Sequence, residues 1–197
     1  MSTRAKSSLC VAVGMSVGLA AFALAVWANA PHGWFLAGSK PAEYLVKIDR
    51  EAVREGRASV CLQDRNGNTE GFGTLMQQIR AEQYLGKRLR FGGFVKSQDV
   101  KDWAGLWMRV DQGSNIMAFD NMQERPIKGT SEWQQYNVVL DVPKDATGIS
   151  FGILLTGSGR VWLNGAKFEV VRADVPTTGQ NSMARPAAPV NLDFSKN

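Results

Sequence analysis

Three side chains at alternate positions, Trp107, Arg109 and Asp111, carry the most distinctive chemistry of this 197-residue chain. They lie in the stretch GKRLRFGGFVKSQDVKDWAGLWMRVDQGSNIMAFDN, residues 86–121. Alternation with period two puts them on one face of a strand, opposite Leu106, Met108 and Val110, which face a core. An indole, a guanidinium and a carboxylate side by side can stack on a flat ring and hydrogen-bond the polar groups around it. Trp103 shares that face if the strand extends back to it. A preceding run sets Leu89, Phe91 and Val95 against Arg90, Phe94 and Lys96, and a later one supplies Gln135 or Asn137. The loop after residues 116–120 adds Asp120, Asn121, Arg125 and Lys128. A structural reading competes with this one. In it, Trp107 covers a second core layer, Arg109 and Asp111 form an ion pair worth little, and the loop residues bond their own backbone.

Catalysis is poorly supplied. The single histidine, His32, precedes the folded part, which leaves no Ser-His-Asp or Cys-His arrangement and no histidine metal site. Paired carboxylates for hydrolysis would have to come from Asp111, Asp120 and Asp141. Asp64, Asn66 and Asn68 open like a calcium loop, but Thr69 and Leu75 stand where its glycine and glutamate belong, so turn chemistry is expected there. A structural calcium ion would suit the fold expected below, yet no ligand set in the sequence demands one. No cofactor is implied. The formal charge of +5 is spread along the chain without a basic-aromatic run, which argues against a nucleic-acid partner.

The elements that must position these residues begin after a hydrophobic N-terminus. Arg4 and Lys6 precede an apolar stretch, residues 9–27, that ends in Ala28, Asn29 and Ala30. A secretory signal cut after Ala28 or Ala30 fits this pattern, and so does a retained membrane anchor. Both place the rest of the chain outside the cytoplasm, in the periplasm or beyond the cell. Leu9 spoils a lipoprotein-type site at Cys10. Cys61, within an apolar run, is then the lone thiol of the exported part and reads as a small buried hydrophobe.

About nine short strands separated by glycine and proline turns follow, which argues for an all-β sandwich. Residues 44–49, 58–64, 74–80, 116–120, 133–142, 148–156 and 160–171 join the two central runs. Residues 50–57 read as a polar connection with at most a turn or two of helix. Residues 81–85 read as a helical turn, and residues 121–131 as a long polar loop. Residues 173–189 are rich in Pro, Thr, Ser and Asn and should be mobile. Val190, Leu192 and Phe194 alternate again, which predicts an edge strand over residues 190–194.

The series GKRLRFGGFVKS, AGLWMRVD, WQQYNVVLDVPKDATGISFGILL and GRVWLNGAKFEVV resembles carbohydrate-binding-module-like (galactose-binding-like) jelly rolls. Residues 103–129 are more specifically similar to a bacterial domain of this type, which occurs attached to regulators and hydrolases. The resemblance spans residues 34–171. It implies a jelly-roll β-sandwich of two antiparallel sheets over residues 31–172, after the signal or anchor helix of residues 1–30. The expected role is non-catalytic binding of a carbohydrate or similar polar ligand through Trp103, Trp107, Arg109, Asp111, Asp120, Asn121, Arg125 and Gln135. A protein-interaction or sensory module is the alternative, and a carboxylate-dependent hydrolase the third reading.

Overall fold

A computed structural model describes residues 30–181. The expected signal or anchor helix and the expected strand at residues 190–194 lie outside these residues. Among the described residues, no helix is long and apolar enough to cross a membrane.

The chain is organised by one strand of 25 residues, β5 (Arg88–Gln112), where the sequence pattern predicts two separate strands. Its first half, residues 88–98, lies between β7 (Ile127–Asp141) and β9 (Arg160–Val171). Its second half, residues 103–111, pairs with β8 (Gly148–Thr156), and its end pairs with β6 (Asn115–Asp120). β5 is thus a member of both layers. The first layer continues from β9 to β3 (Arg57–Asp64) and β2 (Tyr44–Arg54). The second continues from β8 to β4 (Phe72–Arg80) and β1 (Phe35–Gly38), and β6 takes β10 (Gln180–Asn181) at its edge. Every pairing is antiparallel, and together they make a ten-stranded sheet curled into a jelly-roll sandwich.

The inward-facing residues change parity along β5. Leu89, Phe91 and Val95 are buried in the first half; Val100, Ala104, Leu106, Met108 and Val110 are buried in the second. A strict period of two cannot do this, so an odd step must be inserted. Asp99, with φ of 53°, supplies it, and its N–H donates to Thr130 Oγ1 at 3.0 Å. Gly159 is held against this corner. A Cβ there would lie 2.7 Å from Val100 Cα and 2.8 Å from the Asp99 carbonyl oxygen, so only glycine fits. Both halves then feed one core, which also contains Leu62, Leu75, Leu140, Ile149, Ile153 and Leu155. Tyr44 closes one end, its hydroxyl 3.0 Å from the Gly71 carbonyl oxygen and 2.9 Å from that of Gly157.

Several local expectations need correction. Residues 50–57 form no helical turn: β2 runs on to Arg54 and turns into β3 through Glu55 and Gly56, both at positive φ. That geometry is the one hairpins favour. The loop after β6 spans only residues 121–126, because Ile127 already pairs with Ala104 across the corner. Residues 173–181 are tied down rather than a loose linker. Arg88 donates to the carbonyls of Ala173 and Val175, and Thr178 exchanges hydrogen bonds with Val139 on β7. Composition could not show these partners, which come from elements far away in sequence. As expected, β4 ends in a short turn of helix, residues 82–84. Cys61 is fully buried, and burial pushes its thiol up to about 12.

The β2–β3 hairpin tip folds over the outer face of the first layer. Asp49 anchors it by accepting from the N–H groups of Glu51 and Ala52, both at 3.0 Å, and from Trp162 Nε1 at 2.9 Å. The Arg54 guanidinium sits 3.3 Å above the Phe94 ring. These donors, the Ala52 N–H foremost and Trp162 next, hold the Asp49 carboxyl down at about 2. Its folded value lies below its unfolded one, so its contribution is present above the ordinary carboxylate range and is lost as pH falls through the folded value. Asp49→Asn should therefore be less stable than the parent at neutral pH. That deficit should shrink as pH falls from about 4 towards 2, measured by urea unfolding at a series of pH values.

Candidate functional site

The outer face of the second layer gathers the side chains of interest. Antiparallel register sets Phe72, Thr156 and Trp103 in one row across β4, β8 and β5, and Met76, Gly152 and Trp107 in a second. A third row holds Gln78, Ser150 and Arg109 and extends to Phe119 on β6; a fourth holds Arg80, Gly148 and Asp111. One half of the face is apolar and the other polar. β5 contributes to both halves, because its outward residues there run Trp103, Gly105, Trp107, Arg109, Asp111.

On the apolar half, Trp107 is 6% exposed and packs with Ala37, Met76 and Leu154, flanked by Phe35 and Trp103. Gly152 lets Met76 approach closely, since a Cβ there would lie 2.9 Å from Met76 Cα. Trp107 Nε1 donates to Thr74 Oγ1 at 2.7 Å, and the Thr74 hydroxyl donates to the Ile153 carbonyl at 2.9 Å. The indole therefore lies in a small second core with its one donor used. Trp103 and Phe35 are half-buried and Phe72 more exposed, so these rings form the accessible aromatic rim.

On the polar half, Arg109 Nε lies 2.9 Å from Asp111 Oδ1 and 3.0 Å from Oδ2. The pair lies along one strand rather than across two. Burial pushes the Asp111 carboxyl up, opposed by the Arg109 charge. Between Gln78 and Arg109 sits Ser150, fully buried, its hydroxyl without a hydrogen-bond partner. An unpaired buried hydroxyl costs stability. Beside it opens a depression of about 380 Å³, lined among others by Gln78, Arg80, Arg109, Asp111 and Thr147. Donors and an acceptor thus converge next to an apolar ledge, which suits a polyhydroxylated ligand.

The remaining sequence candidates lie elsewhere. Asp120 is buried and bonded to Arg125, to the Met122 N–H and to the Thr178 hydroxyl, so it locks the loop to residues 173–181. Arg125 also donates to the Asn137 carbonyl, and Asn121 accepts from the Gln123 N–H. Gln135 pairs with Phe94 in the first layer, away from Trp107. Arg90 and Lys96 belong to that layer too, paired with Glu169 and Glu132. The three carboxylates named for hydrolysis each have an arginine partner: Asp111 faces outward beside Arg109, Asp120 is bound to Arg125, and Asp141 to Arg88.

Gln78, Arg80 and Ser150 were not legible as site residues from spacing, because only the β4–β8–β5 register brings them together. Residues 148–152 do read Gly-Ile-Ser-Phe-Gly, the spacing of a nucleophile elbow. Ser150 lies within a strand, however, not at a strand-to-helix turn, and so lacks the exposed geometry that an elbow provides. Among the described residues, no group of three or more His, Cys, Asp or Glu could hold a metal ion. Asp64 instead accepts from the N–H groups of Gly67 and Gly159, the turn chemistry expected.

Two outcomes follow from this packing. Trp107→Ala should cost about 3 kcal/mol of stability, read from denaturant midpoints, because it empties the second core. The folded pKa of Asp111 lies above its unfolded value, so ionising it costs stability as pH rises through that raised value. Asp111→Asn escapes this loss. Its stability relative to the parent should therefore improve as pH rises from the carboxylate range to neutrality.

No protein-family model matches the chain. It is 45% identical over 170 residues to the uncharacterized HTH-type transcriptional regulator YbfP of Bacillus subtilis (strain 168), a match covering 83% of this chain. The chain spans 57% of that curated relative's length. Among solved structures, it is similar to the CBM22-1 xylan-binding domain from Paenibacillus barcinonensis Xyn10C. The TM-score is 0.52 at 14% identity, over 74% of this chain and 90% of that one. It is also similar to the enzymatically active domain of tailspike protein 4 from bacteriophage CBA120, with a TM-score of 0.55 at 15% identity. That match covers 71% of this chain and only 20% of the tailspike chain. At such identities the likeness is one of fold, and it carries no activity from either protein. The chain has the jelly-roll β-sandwich fold found in carbohydrate-binding modules.

Proposed function

We propose that this chain is an exported, non-catalytic binding module for a carbohydrate or a similarly polyhydroxylated ligand, recognised on the outer face of the β1–β4–β8–β5–β6 layer. One observation carries the reading: Gln78, Arg109 and Asp111 line an open depression on the same face as a ledge rimmed by Trp103 and Phe35. The fold shared with carbohydrate-binding modules supports it. In the proposed mode, Asp111 accepts from ligand hydroxyls, Gln78 and the guanidinium group of Arg109 donate, and the half-buried ring of Trp103 covers an apolar sugar face. Residues 9–27 act as the export signal or the membrane tether. No group transfer is assigned.

A sensory or protein-interaction role is the second reading, favoured by the 45% identity to part of a transcriptional regulator. Such a role needs a domain that changes its contacts when a ligand binds, and the same face would serve it. The test is a binding screen of the full chain against soluble and insoluble polysaccharides. Binding should weaken at least tenfold in Arg109→Ala and in Gln78→Ala and persist in Gln135→Ala. Binding that survives both substitutions would remove this face from the proposal. An absence of binding throughout would favour the protein-interaction role.

A further inference from the structure

A second polar concavity lies on the first layer, at the corner where β5 passes from one layer to the other. Register sets Gln63 on β3, Arg160 on β9 and Gln98 on β5 in one row across three strands. Their neighbours Leu62, Val161 and Ser97 are buried, so alternation turns the three polar side chains outward. Together with Lys101 and the turn at Ser158 and Gly159 they line a depression of about 230 Å³. Backbone bonds fix its walls: the Lys101 N–H donates to the Ser158 carbonyl at 3.0 Å, and the Asp64 N–H to that of Gly159 at 3.2 Å.

Two cations line this space without an acidic partner. Among the described residues, neither the Arg160 guanidinium nor the Lys101 ammonium makes an ion pair or a side-chain hydrogen bond. Two carboxylates line the depression as well, but both are engaged. Asp64 accepts from the N–H groups of Gly67 and Gly159, and Asp99 accepts from the Thr130 hydroxyl. Arg160 is half-buried, its guanidinium 5.6 Å from the centroid of the Trp162 ring, and Trp162 is fixed in turn by donating Nε1–H to Asp49. A guanidinium held in place offers a carboxylate two parallel N–H donors, a match that an ammonium lacks. The amides of Gln63 and Gln98 each present donors and an acceptor, as sugar hydroxyls require; one weak contact, from Cys61 Sγ at 3.9 Å, already falls on Gln63 Oε1. The volume lies below the roughly 300–1,000 Å³ of sites for drug-sized ligands, so one small unit fills it. We propose that this depression is a second binding site, for a single acidic sugar unit, a uronate. Arg160 takes the carboxylate, Lys101 adds a second positive charge, and the two glutamines bond ring hydroxyls. The site shares no residue with the depression on the second layer, and it stands independently of the function proposed there.

The test is calorimetric titration of the full chain at low salt with glucuronate and galacturonate, with glucose and galactose as their uncharged counterparts. At least one uronate should bind, about tenfold or more tighter than its uncharged counterpart, and added salt should weaken it. Arg160→Ala should lose about tenfold in affinity, and Arg160→Lys nearly as much, because the charge stays while the paired donors go. Gln98→Ala, at an exposed position, guards against a folding defect and should weaken uronate binding several-fold with the thermal transition unchanged. Arg172→Ala removes an exposed arginine outside the depression and should leave binding as it is. Equal affinity for charged and uncharged sugars would overturn the proposal, as would uronate binding that survives Arg160→Ala or an absence of uronate binding. So would an equal loss in Arg172→Ala, which would mark an effect of net charge. Inorganic phosphate that competes at the same concentration as the uronate would overturn the assignment to a sugar acid. Uronate binding lost in Arg109→Ala but kept in Arg160→Ala would move the ligand to the second layer and leave this site without one.

Discussion

The structure depends on one strand serving two layers. β5 enters the sandwich with odd-numbered residues inward and leaves it with even-numbered residues inward, and the change of parity at Asp99 makes this possible. Without it, either Leu89, Phe91 and Val95 or Leu106, Met108 and Val110 would face water. Each such side chain is worth roughly 1.5–3 kcal/mol when buried, so three of them outweigh the strain of one residue at positive φ. Gly159 pressed against Val100 and Thr130 bonded to Asp99 hold the corner from two sides. Everything on the outer face takes its position from this bend, because it sets which residues of β5 point outward beside β8.

The two outer faces are finished differently. The first layer is closed by its own hairpin: Asp49 reaches Trp162, and Arg54 stacks on Phe94. Among the described residues no hairpin crosses the second layer, and its surface divides into a packed apolar ledge and a polar depression. Trp107 shows how an aromatic residue changes meaning with context. By parity it belongs among the outward-facing side chains, yet its indole is nearly enclosed and its N–H is spent on Thr74. The half-buried rings of Trp103 and Phe35 lie at the margin of the same cluster. Arg109 and Asp111, one and two steps further along the strand, keep their polar atoms at the edge of the depression. A recognition surface and a small core thus share one strand face, and the boundary between them falls between Trp107 and Arg109.

Period-two alternation and glycine turns were enough to read the all-β class, most strand positions and the shared face of Trp103, Trp107, Arg109 and Asp111, because strand parity is a local property. The burial of Cys61 and the turn at Asp64 were legible for the same reason: each follows from neighbours a few residues away. What sequence could not supply was pairing. That Gln78 and Ser150 stand beside Arg109, that Asp120 belongs to a lock with Arg125 and Thr178, and that Gln135 lies in the other layer depend on contacts between distant residues. The continuity of β5 was hidden because a bulge looks, in sequence, like a turn. Tertiary structure alone decided which outward side chains are open to solvent, since burial on an outer sheet face depends on what crosses it and not on the alternation that put the residue there.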